Sequence, residues 1–227
     1  MAEINPIAFV RSPFREKFGI PRQPGLCPAV SAEIVFEKNN FNKEALREIT
    51  DVSHIWVIFQ FSSLKKVPDK ARIRPPRLGG NTYVGVFSSR SPYRPNSLGM
   101  SLVALNDMYE NKNEIVLVIS SHDLLDGTPI FDIKPIITND IPADGFSNGW
   151  QNTDWHELKV EFSEDLKIDS LLKEQLRQIL SQDPRPAYSA KNSEGRIYHM
   201  VFAENEISFS VIEQVCKVIE IKPFNNS

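Results

Sequence analysis

Cysteine is scarce: Cys27 and Cys216 are the only two in 227 residues, too few for a disulfide framework or a cysteine-only zinc site. No apolar run approaches the roughly 20 residues that a membrane span requires. The longest, Ile55 to Phe61, is interrupted by Gln60. The first residues, Met1 to Pro6, lack the basic and apolar regions of a signal peptide. The expectation is therefore a soluble cytoplasmic protein. Phosphate-cradling Gly-x-x-x-x-Gly-Lys and Gly-x-Gly-x-x-Gly turns are missing, as is the Gly-x-Ser-x-Gly elbow. The four histidines, His54, His122, His156 and His199, show no metal-ligand spacing, and no metal is expected. These absences remove most of the support for simple hydrolases and metalloenzymes.

What is present is an ordinary globular composition, 41% hydrophobic and 24% charged, sufficient for a sizeable core. The net charge of −3 conceals an asymmetry. Residues 1–100 carry 15 Lys and Arg against 8 Asp and Glu, whereas residues 101–227 carry 11 against 21. A basic working surface on an acidic remainder is the reading. It is densest at 65–77, where Lys65, Lys66, Lys70, Arg72, Arg74 and Arg77 face one acid, Asp69. Phosphate contact and a solvated loop both fit that segment.

Short runs rich in branched and aromatic residues predict strands at 4–10, 32–36, 55–61, 83–87, 101–105, 115–120 and 131–137. With one helix over 43–49, capped by Asn42 and stapled by Phe41 and Leu46, this favours a barrel or sandwich. Residues 138–154 read as a linker, which Trp150 and Trp155 pin down. Ile168, Leu171, Leu172, Leu176, Ile179 and Leu180 then line one helical face after an Asp169 cap, and the helix must stop before Pro184. Strands at 197–202, 207–211 and 215–221 complete the pattern. The expected fold is mainly β: a single-sheeted β-barrel over 1–140, a linker over 141–157 and a small α+β domain over 158–227.

Three segments stand out. Pro21-Arg22-Gln23-Pro24-Gly25-Leu26 fixes a non-repetitive backbone able to offer peptide groups to a ligand. In 85–100, Pro92 and Pro95 stiffen a loop bearing Arg90 and Arg94, an arrangement suited to a carboxylate or phosphate. In 121–135, Asp123 and Asp126 flank an apolar pair before the Gly127 turn, and can meet hydroxyls or a cation.

Together with Arg-Pro-Pro-Arg-Leu-Gly-Gly at 74–80 and Asp-Pro-Arg-Pro-Ala-Tyr at 183–188, these segments resemble the TsaA-like bacterial tRNA methyltransferases. That family methylates the N6 nitrogen of N6-threonylcarbamoyladenosine beside the anticodon. The resemblance covers nearly the whole chain and implies a single-sheeted barrel, S-adenosylmethionine as donor, and a homodimer with the donor near the subunit interface. The donor-binding positions it implies are Gln23, Pro24 and Gly25, then Arg90 and Met100, then Asp123, Leu124, Leu125 and Asp126. Ser62 and Ser63 occupy a further contact position, where some relatives carry a His-Gln pair. Threonine tRNA is the expected substrate. Asp132, Lys134 and Tyr188 are candidates for taking the departing proton or orienting the base. A non-catalytic RNA-binding barrel and a donor-binding sensor stay open at this stage.

Overall fold

The computed structural model of the protein describes residues 4–38, 41–62, 71–75, 78–79, 81–151, 157–186 and 195–224. Six strands close into a barrel: β1 (Ala8–Arg11), β2 (Ser31–Glu37), β3 (His54–Gln60), β6 (Leu98–Glu110), β7 (Glu114–Ser120) and β8 (Pro129–Pro135). Their order around the barrel is β1-β2-β7-β6-β3-β8, with every neighbouring pair antiparallel. Closure leaves no strand edge exposed along the ring.

The cause is visible in the alternation of side chains. In β2, Ala32, Ile34 and Phe36 are buried between exposed or half-buried neighbours; in β3, Ile55, Val57 and Phe59 do the same. These side chains, with Val103, Leu117, Ile119 and Ile130, fill the interior.

A two-residue ribbon, β4 (Arg72–Ile73) with β5 (Val84–Gly85), stands outside the barrel. The strand expected at 83–87 is thus limited to this ribbon, because Val86–Ser88 tightens into a 3₁₀ turn. The expected helix at 43–49 also differs. It forms two 3₁₀ turns, Lys43–Leu46 and Ile49–Asp51, broken where Glu48 adopts φ 62°. Asn42 does cap the first, accepting from the Glu44 N–H at 3.1 Å.

The second sheet runs β10-β11-β12-β9, made of β10 (Ile197–Phe202), β11 (Asn205–Ile212), β12 (Val215–Pro223) and β9 (Lys159–Phe162). Short β9, paired parallel to β12, was not anticipated. Helix α1 (Ser170–Ser181) begins at the predicted cap, where Asp169 accepts from the Leu172 N–H at 2.9 Å. It buries Leu176, Ile179 and Leu180 against that sheet. The β1–β2 connection contributes Phe14, Cys27 and Val30 to this second core rather than to the barrel. Phe14 bridges Phe202, and the Ala203 N–H donates to the Pro13 carbonyl at 2.8 Å. The connection carrying Gln23 to Gly25 is therefore held between two cores. No helix among the described residues is long and apolar enough to cross a membrane.

Candidate active site

At one end of the barrel lies a cavity of about 770 Å³. Its walls come from the β1–β2 connection (Lys17, Ile20 to Gln23), the ends of β3 and β6 (Ile58, Phe59, Leu98 to Ser101), the 89–94 loop, and Asp123 with Leu125. Segments nearly a hundred residues apart meet here, where the Gly25 N–H donates to the Ser121 carbonyl at 2.8 Å. Gly25 has φ 88° and Ser121 φ 59°, so both ends of that bond sit in the left-handed region. Gly25 adopts this conformation without strain; Ser121 is held there by its surroundings.

Asp123 is the carboxylate of the cavity. The Ser101 hydroxyl donates to its Oδ1 at 2.6 Å. Burial pushes its pKa above the ordinary aspartate value, while the Ser101 bond and the Arg90 charge pull it back. Leu124, next in the chain, turns its side chain into the barrel core, and its N–H donates to His122 Nδ1 at 3.2 Å. His122 is wholly buried against Phe14, which depresses its pKa to about 4. The loop is thus nailed down on both sides of Asp123.

The floor is aromatic. Phe59 packs edge-on to Phe61 at 5.0 Å and covers Gly99 so closely that an added Cβ would lie 2.3 Å from the ring. Only glycine permits that approach.

Arg94 does not reach outward. Its Nη1 donates to the carbonyls of Ser89 and Ser91 at 3.2 and 3.4 Å, fastening its own loop and leaving Arg90 as the exposed cation.

Of the residues implied to bind donor, Gln23, Ser62, Arg90, Met100, Asp123 and Leu125 line this cavity. Pro24 and Gly25 form the adjoining turn without lining it, and Leu124, whose side chain sits in the barrel core, does not line it either. Asp126 faces elsewhere: it accepts from the Ser12 N–H at 2.9 Å and pairs with Arg15 at 2.8 Å. Asp132 and Lys134 pair with each other at 3.2 Å on β8 and do not line the cavity. Ser63, Lys65, Lys66, Lys70, Arg77 and Tyr188 lie outside the described residues. Sequence reasoning missed Ser101, Phe59 and Gly99. Ser101 had a readable signal, a polar residue at an inward position of a strand whose next inward residue is Val103.

A second cavity, about 1030 Å³, adjoins the first and shares Arg22, Gln23, Ser89, Arg90, Pro92 and Tyr93 with it. Arg72, Arg74, Tyr83 and Trp150 complete much of its lining. Trp150 Nε1 donates to the Ser88 carbonyl at 2.9 Å, so at Trp150 the connection between the sheets packs down as expected, whereas Trp155 lies outside the described residues.

Comparison with known proteins fits this architecture. The family described as tRNA-methyltransferase O N-terminal domain matches residues 9–140, and the TrmO C-terminal domain matches 156–224. A tRNA (adenine(37)-N6)-methyltransferase of Escherichia coli (strain K12) is 34% identical, with 96% of each chain covered. A putative S-adenosylmethionine-dependent methyltransferase, RcsF, of Pseudomonas aeruginosa is 39% identical over 86% of each. The crystal structure of TrmO from Pseudomonas aeruginosa superposes with a TM-score of 0.79 at 29% identity, covering 99% of this chain and 98% of that one. The chain belongs to the tRNA-methyltransferase O family.

Proposed function

We propose that this protein transfers a methyl group from S-adenosylmethionine to the N6 nitrogen of N6-threonylcarbamoyladenosine beside the anticodon, with threonine tRNA as its substrate. The single observation that carries the reading is the pair of adjoining cavities, one holding the half-buried Asp123 carboxyl and the other lined by arginines. The names borne by the relatives support both the donor and the tRNA adenine.

The first cavity suits the donor chemically. Its volume falls within the usual 300–1000 Å³ of small-molecule sites. Asp123 offers a carboxylate to hydroxyl or ammonium groups, and Arg90 offers a cation to a carboxylate. Phe59, Phe61 and Met100 provide apolar and polarisable walls. S-Adenosylmethionine, when bound, supplies an electrophilic methyl group on a sulfonium centre.

The chain's residues then act mainly by positioning. Pro92 and Pro95 stiffen the arginine loop, and the Gly25–Ser121 bond fixes the two donor-side turns, so little freedom remains to be lost. Orientation of this kind is worth about 7–11 kcal/mol at best. The ureido nitrogen is a poor nucleophile and must lose its proton; Asp132, Lys134 and Tyr188 stay the proposed groups for taking that proton or orienting the base. The 65–77 segment is proposed to face the tRNA, with Lys65, Lys66, Lys70 and Arg77 on its phosphates. The active species is proposed to be a cytoplasmic homodimer, divided into a barrel domain (1–140), a linker (141–157) and an α+β domain (158–227).

The test is titration calorimetry with S-adenosylmethionine, followed by methyl transfer to threonylcarbamoylated tRNA. Donor binding with transfer supports the reading. Donor binding without transfer to any tRNA leaves a sensor, and RNA binding without donor binding leaves an adaptor.

A further inference from the structure

The second cavity holds four arginines, Arg22, Arg72, Arg74 and Arg90, and no Asp or Glu among its described lining residues. Two of the four have partners that account for their charge or position. Arg22 Nη2 donates to the Asp183 carbonyl at 3.0 Å, and Arg90 acts on Asp123 across the shared wall. Arg72 and Arg74 differ. Neither has an ion pair with a described carboxylate; both stack on Tyr83, their guanidinium carbons 5.1 and 4.4 Å from the ring centre.

Arg72 lies on β4 and Arg74 just beyond its end, and the Tyr83 ring brings the two guanidinium groups together. Arg74 Nη2 also donates to the Tyr83 hydroxyl, which fixes its plane. Like charges held side by side on one aromatic ring, with no acid among the described lining residues, make a preorganised anion site. The site opens into the wall shared with the donor cavity.

We propose that Arg72 and Arg74, ordered by Tyr83, bind the carboxylate of the amino-acid substituent on the target adenosine and so select the modified nucleoside over plain adenosine. This rests on the threonylcarbamoyl substrate proposed above. A backbone phosphate presents the same chemistry, an oxyanion accepting paired N–H donors, and the test separates the two sources.

The experiment uses the full chain and two anticodon stem-loop RNAs. One carries threonylcarbamoyladenosine; the other carries its carboxamide, equal in shape but without charge. Methyl transfer and equilibrium binding are measured for both, with wild type and an Arg72→Gln/Arg74→Gln variant. Wild type should prefer the carboxylate RNA by roughly 10- to 100-fold, the range of a lost charged hydrogen bond. The variant should lose that preference while the salt dependence of its RNA binding stays as in wild type. Equal treatment of the two RNAs by wild type overturns the proposal. So does a variant that weakens both RNAs alike and flattens the salt dependence, because the arginines then hold phosphate. Should neither RNA be methylated, a carboxylate preference in binding that the variant abolishes upholds the anion site and overturns only the methylation reading. Without that binding preference, the anion site falls too.

Discussion

The Ser101 hydroxyl donates to Asp123 Oδ1 at 2.6 Å, tying an inward position of β6 to the loop after β7. Burial raises the Asp123 pKa, and this bond opposes the rise by stabilising the ionised form. Ser101→Ala therefore raises the pKa further. Donor affinity, measured by calorimetry against pH, should fall as the carboxyl protonates on acidification, and in Ser101→Ala the fall should begin at higher pH. Asp123→Ala should weaken donor binding at neutral pH by about 1–3 kcal/mol. A Ser101→Ala profile superimposable on wild type would remove the bond from the site.

Asp126 separates stability from binding. Its carboxylate serves Arg15 and the Ser12 N–H, away from the cavity lining. The ion pair is partly exposed, so the Ser12 bond carries most of the effect, about 1 kcal/mol. Asp126→Ala should lower the thermal midpoint and leave the donor Kd nearly unchanged. An intact midpoint with weakened donor binding would put this carboxylate on the ligand.

His122 makes the fold acid-sensitive. Its pKa is about 4 when folded against 6.5 for the free side chain, so between those values the unfolded chain binds more protons. The stability it contributes is whole above pH 6.5 and is lost as pH falls towards 4, up to about 3 kcal/mol. Denaturant melts at pH 7 and pH 4.5 should show a smaller difference in His122→Gln than in wild type. An equal difference would mean that His122 does not set the acid response.

Gly99 tests the cavity floor. Its added Cβ would meet the Phe59 ring at 2.3 to 2.8 Å, so Gly99→Ala must displace that ring. Since Phe59 lines the cavity proposed for the donor, donor affinity should drop at least tenfold, about 1.4 kcal/mol, while tRNA binding, proposed to run through the basic segment, changes little. Unchanged donor affinity would show that the ring moves away from the ligand.

The legible parts of the fold were those fixed by local pattern. Strands with strict alternation, such as β2 and β3, and the α1 cap at Asp169 follow from side-chain period and backbone chemistry alone. Phe14, Cys27 and Val30 illustrate what was not legible: apolar residues in an irregular segment reveal burial but not which core receives them. β9 is four residues long and forms by pairing with distant β12, a partnership that no local signal announces. At 43–49 the propensity and cap were present, yet Glu48 enters the left-handed region and the helix never propagates. At the site, the stretches around Gln23, Arg90 and Asp123 were recognisable from composition and resemblance. Ser101 and Gly99 were harder to see because their roles depend on Asp123 and Phe59 across the cavity.

The central claim is methyl transfer onto a specific nucleoside. Purified protein should be incubated with S-adenosylmethionine bearing a labelled methyl group and with threonine tRNA that carries or lacks threonylcarbamoyladenosine. Nucleosides from the digested tRNA are then resolved by mass spectrometry. The account predicts one added labelled methyl on threonylcarbamoyladenosine, none on the unmodified tRNA, and strongly reduced transfer by Asp123→Ala. Label appearing on another nucleoside, or no label despite demonstrated donor binding, would contradict it.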